Sequence, residues 1–145
     1  MDIHEYQAKE LLANFGVNVP MGALAYSPEQ AAYRARELGG EKWVVKAQVH
    51  AGGRGQAGGV RICNSDVEIQ AASEQMFGRK LVTHQTGPGG RGIYRVYVET
   101  LVQIVKEFYL GFVLDRVSQR IMIGASSAGG MEGEDIAAEE PGTIV

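Results

Sequence analysis

The chain predicts an α+β fold with mixed or antiparallel sheets and flanking helices, and three features predict it. Strand-like runs follow one another with no helix between them, most plainly at 43–49 and 60–63. Parallel neighbours need long crossovers, usually helical, so directly successive strands point away from a doubly wound parallel sheet. Two segments carry helix-start signals, at Ser27 and Ser65. Glycine is in excess, with 20 residues and clusters at 52–59, 87–92 and 129–133, set between apolar segments. Such clusters make tight or ligand-facing loops rather than disorder.

The elements follow in order. A first helix is expected over His4–Phe15, capped by Asp2, with apolar residues at Tyr6, Leu11, Leu12 and Phe15 and a left-handed close at Gly16. Pro20 and Gly22 lead into a short strand, Ala23–Tyr26. Ser27 as N-cap, Pro28 at N1 and Gln30 at N3 open a second helix with a capping box, running to Leu38 before Gly39 and Gly40. A strand from Trp43, a glycine loop and a strand over Val60–Cys63 come next. Ser65 and Glu68 open a third helix that closes at Gly78. Lys80–Gln85 reads as a strand, 87–92 as a turn, and Ile93–Glu99 alternates as a strand. Glu107–Asp115 and Arg120–Ala125 form a hairpin through 117–119. The stretch 131–145 reads as a short acidic helix, a Pro141-Gly142 break and the start of a strand, so a longer protein is expected.

Composition narrows the function. A hydrophobic share of 45% and a charged share of 21% are ordinary for a globular protein. A net charge of −3 and the lack of any basic run argue against a nucleic-acid face. No apolar run approaches membrane-spanning length, and the first residues lack the features of a signal peptide. A cytoplasmic protein, or one of the mitochondrial matrix, fits. The single cysteine, Cys63, leaves no internal disulfide, and its apolar strand makes it a buried inert thiol.

The segment WVVKAQVHAGGRGQAGGV, Trp43–Val60, carries the functional signal. An apolar run holds one lysine, Lys46, then breaks into five glycines around Arg54. Glycines let a backbone approach an anion and present its N–H groups, and a strand lysine can reach phosphates as a point charge. A buried strand followed by a flexible hairpin is the plainer reading. Neither a P-loop nor a dinucleotide fingerprint is present, because the loop runs strand to strand and Gln56 stands where a P-loop lysine would be sought. Glu99 ends one strand and Glu107 opens another; either carboxylate suits a ribose or an adenine amine, or simply solvent. His4, His50 and His84 lack metal-ligand spacing and adjoin no nucleophile motif. His50, beside the loop, could contact phosphate or be a turn residue.

Together, MDIHEYQAKELL at 1–12, the block 43–60, LVTHQT at 81–86, VYVE at 96–99 and KEFYLGFVLDR at 106–116 closely resemble the β subunits of succinate–CoA ligase and, about equally, of malate–CoA ligase. The resemblance covers all 145 residues. It implies an ATP-grasp fold, with residues 1–145 as the N-terminal part of the nucleotide-binding domain and the CoA-ligase domain beyond it. It implies that Lys46 contacts ATP or ADP phosphates, that Gly53, Arg54 and Gly55 form a backbone cradle, and that Glu99 and Val102 lie at the base and hinge. Val102 would act through its main chain alone, and Glu107 would bind the ribose. No catalytic residue and no metal ligand fall in this stretch; the Mg2+ ligands are expected beyond Val145. Coenzyme A and succinate, or malate, are the implied substrates, and an α subunit carrying a phosphorylated histidine is the implied partner. Two departures stand out: Gln56 replaces the family's usual lysine, and Gly133 its usual aliphatic residue. A non-catalytic nucleotide-sensing module on the same lobe is the competing reading.

Overall fold

The structure, a computed structural model, describes residues 3–130. The expected Asp2 cap and the acidic helix and strand of 131–145 lie outside the described residues. The chain divides into two units after Val102. Among the described residues no helix is long and apolar enough to cross a membrane.

The first unit is built on a four-stranded antiparallel sheet. Its strands are β1 (Gly22–Ala25), β2 (Trp43–Ala47), β3 (Val60–Cys63) and β6 (Val96–Thr100), in spatial order β1-β6-β2-β3. The expected elements are present, but the chain's last strand here is threaded between its first two. Pairing Val45 with Val98 and Ala47 with Val96 puts these residues on one face. That face is dry. Val45, Ala47, Val96, Val98 and Ala25 pack with Ala31 and Ala35 of α2 (Pro28–Leu38) and with Ile69 and Met76 of α3 (Asp66–Met76). Alanines on α2 let that helix sit close, because a small side chain leaves room for the backbone.

Both helices start where the sequence says. Ser27 Oγ accepts from the Gln30 N–H at 3.1 Å, and Ser65 Oγ from the Glu68 N–H at 3.2 Å. The reciprocal arm of each box differs. Gln30 Oε1 takes the N–H of Tyr26, and Glu68 Oε2 that of Asn64, one residue earlier than a capping box requires. The longer arc ties each helix to the strand before it.

Three expectations need correction. The strand expected over 80–85 is only β4 (Lys80–Leu81), paired with β5 (Arg91–Gly92). Past Leu81 the Thr86 hydroxyl accepts from the Thr83 N–H at 2.8 Å and turns the chain. The strand over Ile93–Glu99 begins only at Val96, because the Ile93 N–H is spent on the Arg79 carbonyl at 2.9 Å, off the main sheet. Helix α1 (Glu5–Asn14) is capped at His4, where the Gln7 side chain accepts the N–H at 2.9 Å. Its expected apolar stripe does not bury: Leu11, Leu12 and Phe15 are exposed and α1 has no buried residue.

The second unit contains an antiparallel hairpin, β7 (Tyr109–Asp115) with β8 (Arg120–Ser126). Asp115 accepts from the Val117 and Ser118 N–H groups to close the turn, and Gln119 takes the left-handed φ of 55°.

Two outcomes test this packing. Ile69 is fully buried, so Ile69→Ala should lower the free energy of urea unfolding by about 2–5 kcal/mol. Burial pushes the Cys63 thiol up, and the Glu68 carboxylate adds to the effect. Ellman's reagent should therefore leave Cys63 untouched in native protein and modify it fully after unfolding.

Candidate functional site

The other face of the sheet is polar. Lys46 pairs with Tyr97 and Val44 with Glu99, so Lys46, Tyr97, Glu99 and, one step further, Gln48 look the same way. Helix α1 contributes Glu5 and Lys9 to this face. Lys46 Nζ lies 2.8 Å from Glu99 Oε1 and 3.1 Å from Glu5 Oε1. Lys9 Nζ lies 3.1 Å from Glu5 Oε1 and also bonds Glu99 Oε2, while its ammonium stands 5.5 Å from the centre of the Tyr97 ring. Arg54 Nη2 reaches Glu5 Oε2 at 2.8 Å, and its Nη1 donates to the Ala47 carbonyl at 2.9 Å. Gln48 Nε2 donates to Glu5 Oε2 at 3.3 Å, and Gln48 Oε1 accepts the Tyr6 N–H at 3.2 Å.

Three cations thus meet two carboxylates, leaving one positive charge in excess. Burial by itself would push the Glu5 carboxyl up; Arg54, Lys46 and Lys9 overrule it and hold it at about 2. Burial by itself would pull Lys46 down; hydrogen bonding to Glu99 and the charges of Glu5 and Glu99 overrule it and raise it. Lys46 is therefore a fixed cation at neutral pH, suited to holding an anion and unsuited to work as a base or an amine nucleophile.

Next to this cluster the glycine loop is folded, not open. The Gly53 carbonyl accepts the Ala57 N–H at 3.2 Å, the Arg54 carbonyl the Gly59 N–H at 2.7 Å, and the Gly55 carbonyl the Gly58 N–H at 3.1 Å. Gly53 takes φ +68°, a conformation that favours glycine. The Ala47 N–H closes the loop onto Gly59 O at 2.7 Å, and the Gly52 N–H is tied to Gln85 Oε1 at 2.8 Å. The carbonyls thus turn inward. Among the described residues no protein acceptor meets the N–H groups of Gly53, Arg54 and Gly55. A Cβ added at Gly55 would meet open space. Beside the loop a bay of about 530 Å³ is lined by Gly53, Gln56, Ala57, Thr83, His84 and Pro88, among others.

Of the residues singled out in the sequence, Lys46, Arg54 and Glu99 converge, with Gly53 and Gly55 on the adjoining loop. Glu99 is neither solvated nor at a frayed strand end; it is 4% exposed and ion-paired. Val102, half-exposed, follows β6 at the end of the first unit. Glu107 belongs to the second unit, exposed, with its backbone against Gly129. Sequence reasoning missed Glu5, the centre of the network. The available signal was Glu5 and Lys9 one helical turn apart on a helix whose apolar residues do not form a clean stripe. Among the described residues no three His, Cys, Asp or Glu side chains gather as a metal site would require.

Residues 2–145 match the ATP-grasp domain family. The chain belongs to that family. It is 66% identical to a probable malate–CoA ligase subunit beta of Mesorhizobium japonicum, over all of this chain and 37% of that protein. It is 52% identical to a succinate–CoA ligase [ADP-forming] subunit beta of Nitratiruptor, again over all of this chain and 37% of the relative. The chain thus spans little more than a third of the length of either. Among solved structures, an ATP citrate lyase from Methanothrix soehngenii superposes with a TM-score of 0.68 at 20% identity, covering 99% of this chain and 33% of that one. This likeness bears on the fold, and it agrees with the helices and antiparallel sheets described above.

Acid titration tests the network. An unfolded Glu5 carboxyl titrates near 4.5, the folded one near 2. Its stabilisation is complete above the unfolded value and is lost as the pH falls from there towards 2. The contribution is on the order of 3 kcal/mol. In Glu5→Gln this part of the acid sensitivity between pH 4.5 and 2 should vanish, as read by urea unfolding at stepped pH.

Proposed function

We propose that this chain is the nucleotide-phosphate-binding part of the β subunit of an ADP-forming acid–CoA ligase. One observation carries the reading: Lys46 is held permanently charged beside a loop whose Gly53, Arg54 and Gly55 N–H groups meet no protein acceptor among the described residues. Fixed positive charge and preset N–H donors are what a polyphosphate requires. The Arg54 guanidinium is engaged by Glu5 and Ala47, so its part is main-chain, with its side chain bracing the loop. Glu107, and Val102 through its backbone, would take the ribose and base. Gln56 stands where the family resemblance implies a lysine, which leaves Lys46 as the principal side-chain cation.

In this reading the γ-phosphoryl of ATP passes to a histidine of the α subunit, with ADP leaving. The acid's carboxylate then takes the phosphoryl as an acyl phosphate, and the thiol of coenzyme A displaces phosphate to form the thioester. Positioning and charge neutralisation supply most of the catalysis of such a transfer. This chain's share is to hold the phosphates in line and keep them from rotating. Magnesium would balance phosphate charge, and its ligands are proposed to lie beyond Val145. The greater identity to the malate–CoA ligase relative, 66% against 52%, favours malate over succinate as the acid.

The test is thioester formation by the complete β chain with its α partner, offering malate and succinate separately. Lys46→Ala should lower turnover roughly a hundredfold or more with the melting curve retained, because Glu5 and Glu99 keep Lys9, and Glu5 keeps Arg54. Glu107→Ala should raise the KM for ATP. Unchanged turnover and KM in both variants would overturn the assignment.

A further inference from the structure

A second cavity in the first unit, of about 430 Å³, is lined by His4, Gln48, His50, Arg91, Tyr94 and Arg95, with Val49 and the glycines flanking Arg91. No carboxylate lines it. The chain as a whole carries a net charge of −3, so four basic side chains around one cavity run against its overall balance. Of the seven arginines of this unit, Arg34, Arg36 and Arg54 have a carboxylate partner, while Arg61 and Arg79 have none among the described residues. Among the described residues neither Arg91 nor Arg95 has one. For exposed Arg91 that is unremarkable. Arg95 is half-buried, and its guanidinium stands 5.8 Å from the centre of the Tyr26 ring, a contact that orients it without neutralising it.

The two imidazoles add to the same picture. The His4 and His50 rings lie 3.9 Å apart between centroids, tilted by 40°. Burial lowers the His4 pKa, and the positive surroundings of His50, Arg95 and Arg54 lower it further. The cations nearest the His4 ring thus include Arg95 of the cavity wall. The floor is low as well. A Cβ at Gly92 would fall 2.6 Å from the Tyr94 hydroxyl, so the phenol ring lies back over glycine.

We propose that this cavity is an anion site distinct from the Lys46 cradle, for a small ligand with two negative charges on oxygen. Arg95 and Arg91 supply forked N–H donors, which match the paired oxygens of a phosphate or carboxylate. The His4 and His50 imidazoles offer further hydrogen-bonding nitrogens. At about 430 Å³ the cavity accommodates a free phosphate, a small phosphate ester or a four-carbon dicarboxylate, and is small for a whole nucleotide.

Calorimetric titration of the complete protein with inorganic phosphate, and separately with malate, at constant ionic strength tests this. Saturable binding of phosphate alone makes the ligand phosphoryl; of malate alone, a dicarboxylate; of both, an oxyanion site of broad acceptance. In the Arg91→Gln, Arg95→Gln double variant the Kd should rise about tenfold or more, while Lys46→Ala should leave it unchanged. The assigned His4 and His50 ring resonances should move with the same midpoint. Three results overturn the proposal: no saturable binding of either anion, an unaltered Kd in the double variant, or loss of binding in Lys46→Ala. The last would place the anion in the phosphate cradle. Thioester formation that fails while this binding persists would count against the ligase reading alone.

Discussion

A single carboxylate holds the polar half of the first unit together. Glu5 receives Lys9 from its own helix, Lys46 from the strand beneath, Gln48 from just past that strand's end, and Arg54 from the loop beyond. Helix α1 buries no residue, so this charge network, with the Tyr6–Gln48 bond, attaches it to the sheet. Each ion gives up hydration to enter such bonds, which offsets part of what they contribute. What they fix is position. Lys46 has two directional acceptors on one side, and Arg54 has a carboxylate and a carbonyl. Remove Glu5 and each cation keeps one of its two partners, Glu99 for Lys46 and the Ala47 carbonyl for Arg54.

The two faces of the sheet thus do different work. The face toward α2 and α3 is apolar and closely packed, and it sets where the strands lie. The other face is charged and carries one cation more than its two carboxylates balance. Alternation along β2 delivers both from five residues: Val45 and Ala47 inward, Lys46 outward. The lysine that breaks an apolar run is therefore no interruption of the core. It sits at the position that the pleat sends to the opposite side.

Local signals were legible in proportion to how local they are. Ser27, Pro28 and Ser65 fixed two helix starts because a cap is a contact over three residues. The hairpin through 117–119 was legible for the same reason. The insertion of β6 between β1 and β2 was not, since it depends on pairs 49 or more residues apart. Glu99 read as a strand terminus because its partners, Lys9 and Lys46, lie far off in sequence. The strand expected to Gln85 ended early because the Thr86 hydroxyl competes for its backbone, a choice that hydrophobic alternation does not register. The residues proposed for nucleotide binding were named chiefly through resemblance; composition alone left a phosphate loop and a plain hairpin equally open.

The chain has one tryptophan, and its place has a practical side. Trp43 opens β2, its indole N–H donating to the Gly39 carbonyl at 2.9 Å, where α2 ends. It lies three residues from Lys46 along the same strand, yet the pleat turns it to the other face of the sheet. Its emission therefore watches the joint between helix and sheet. A ligand arriving at the cationic face would leave that fluorescence almost silent, whereas separation of α2 from the sheet would change it at once.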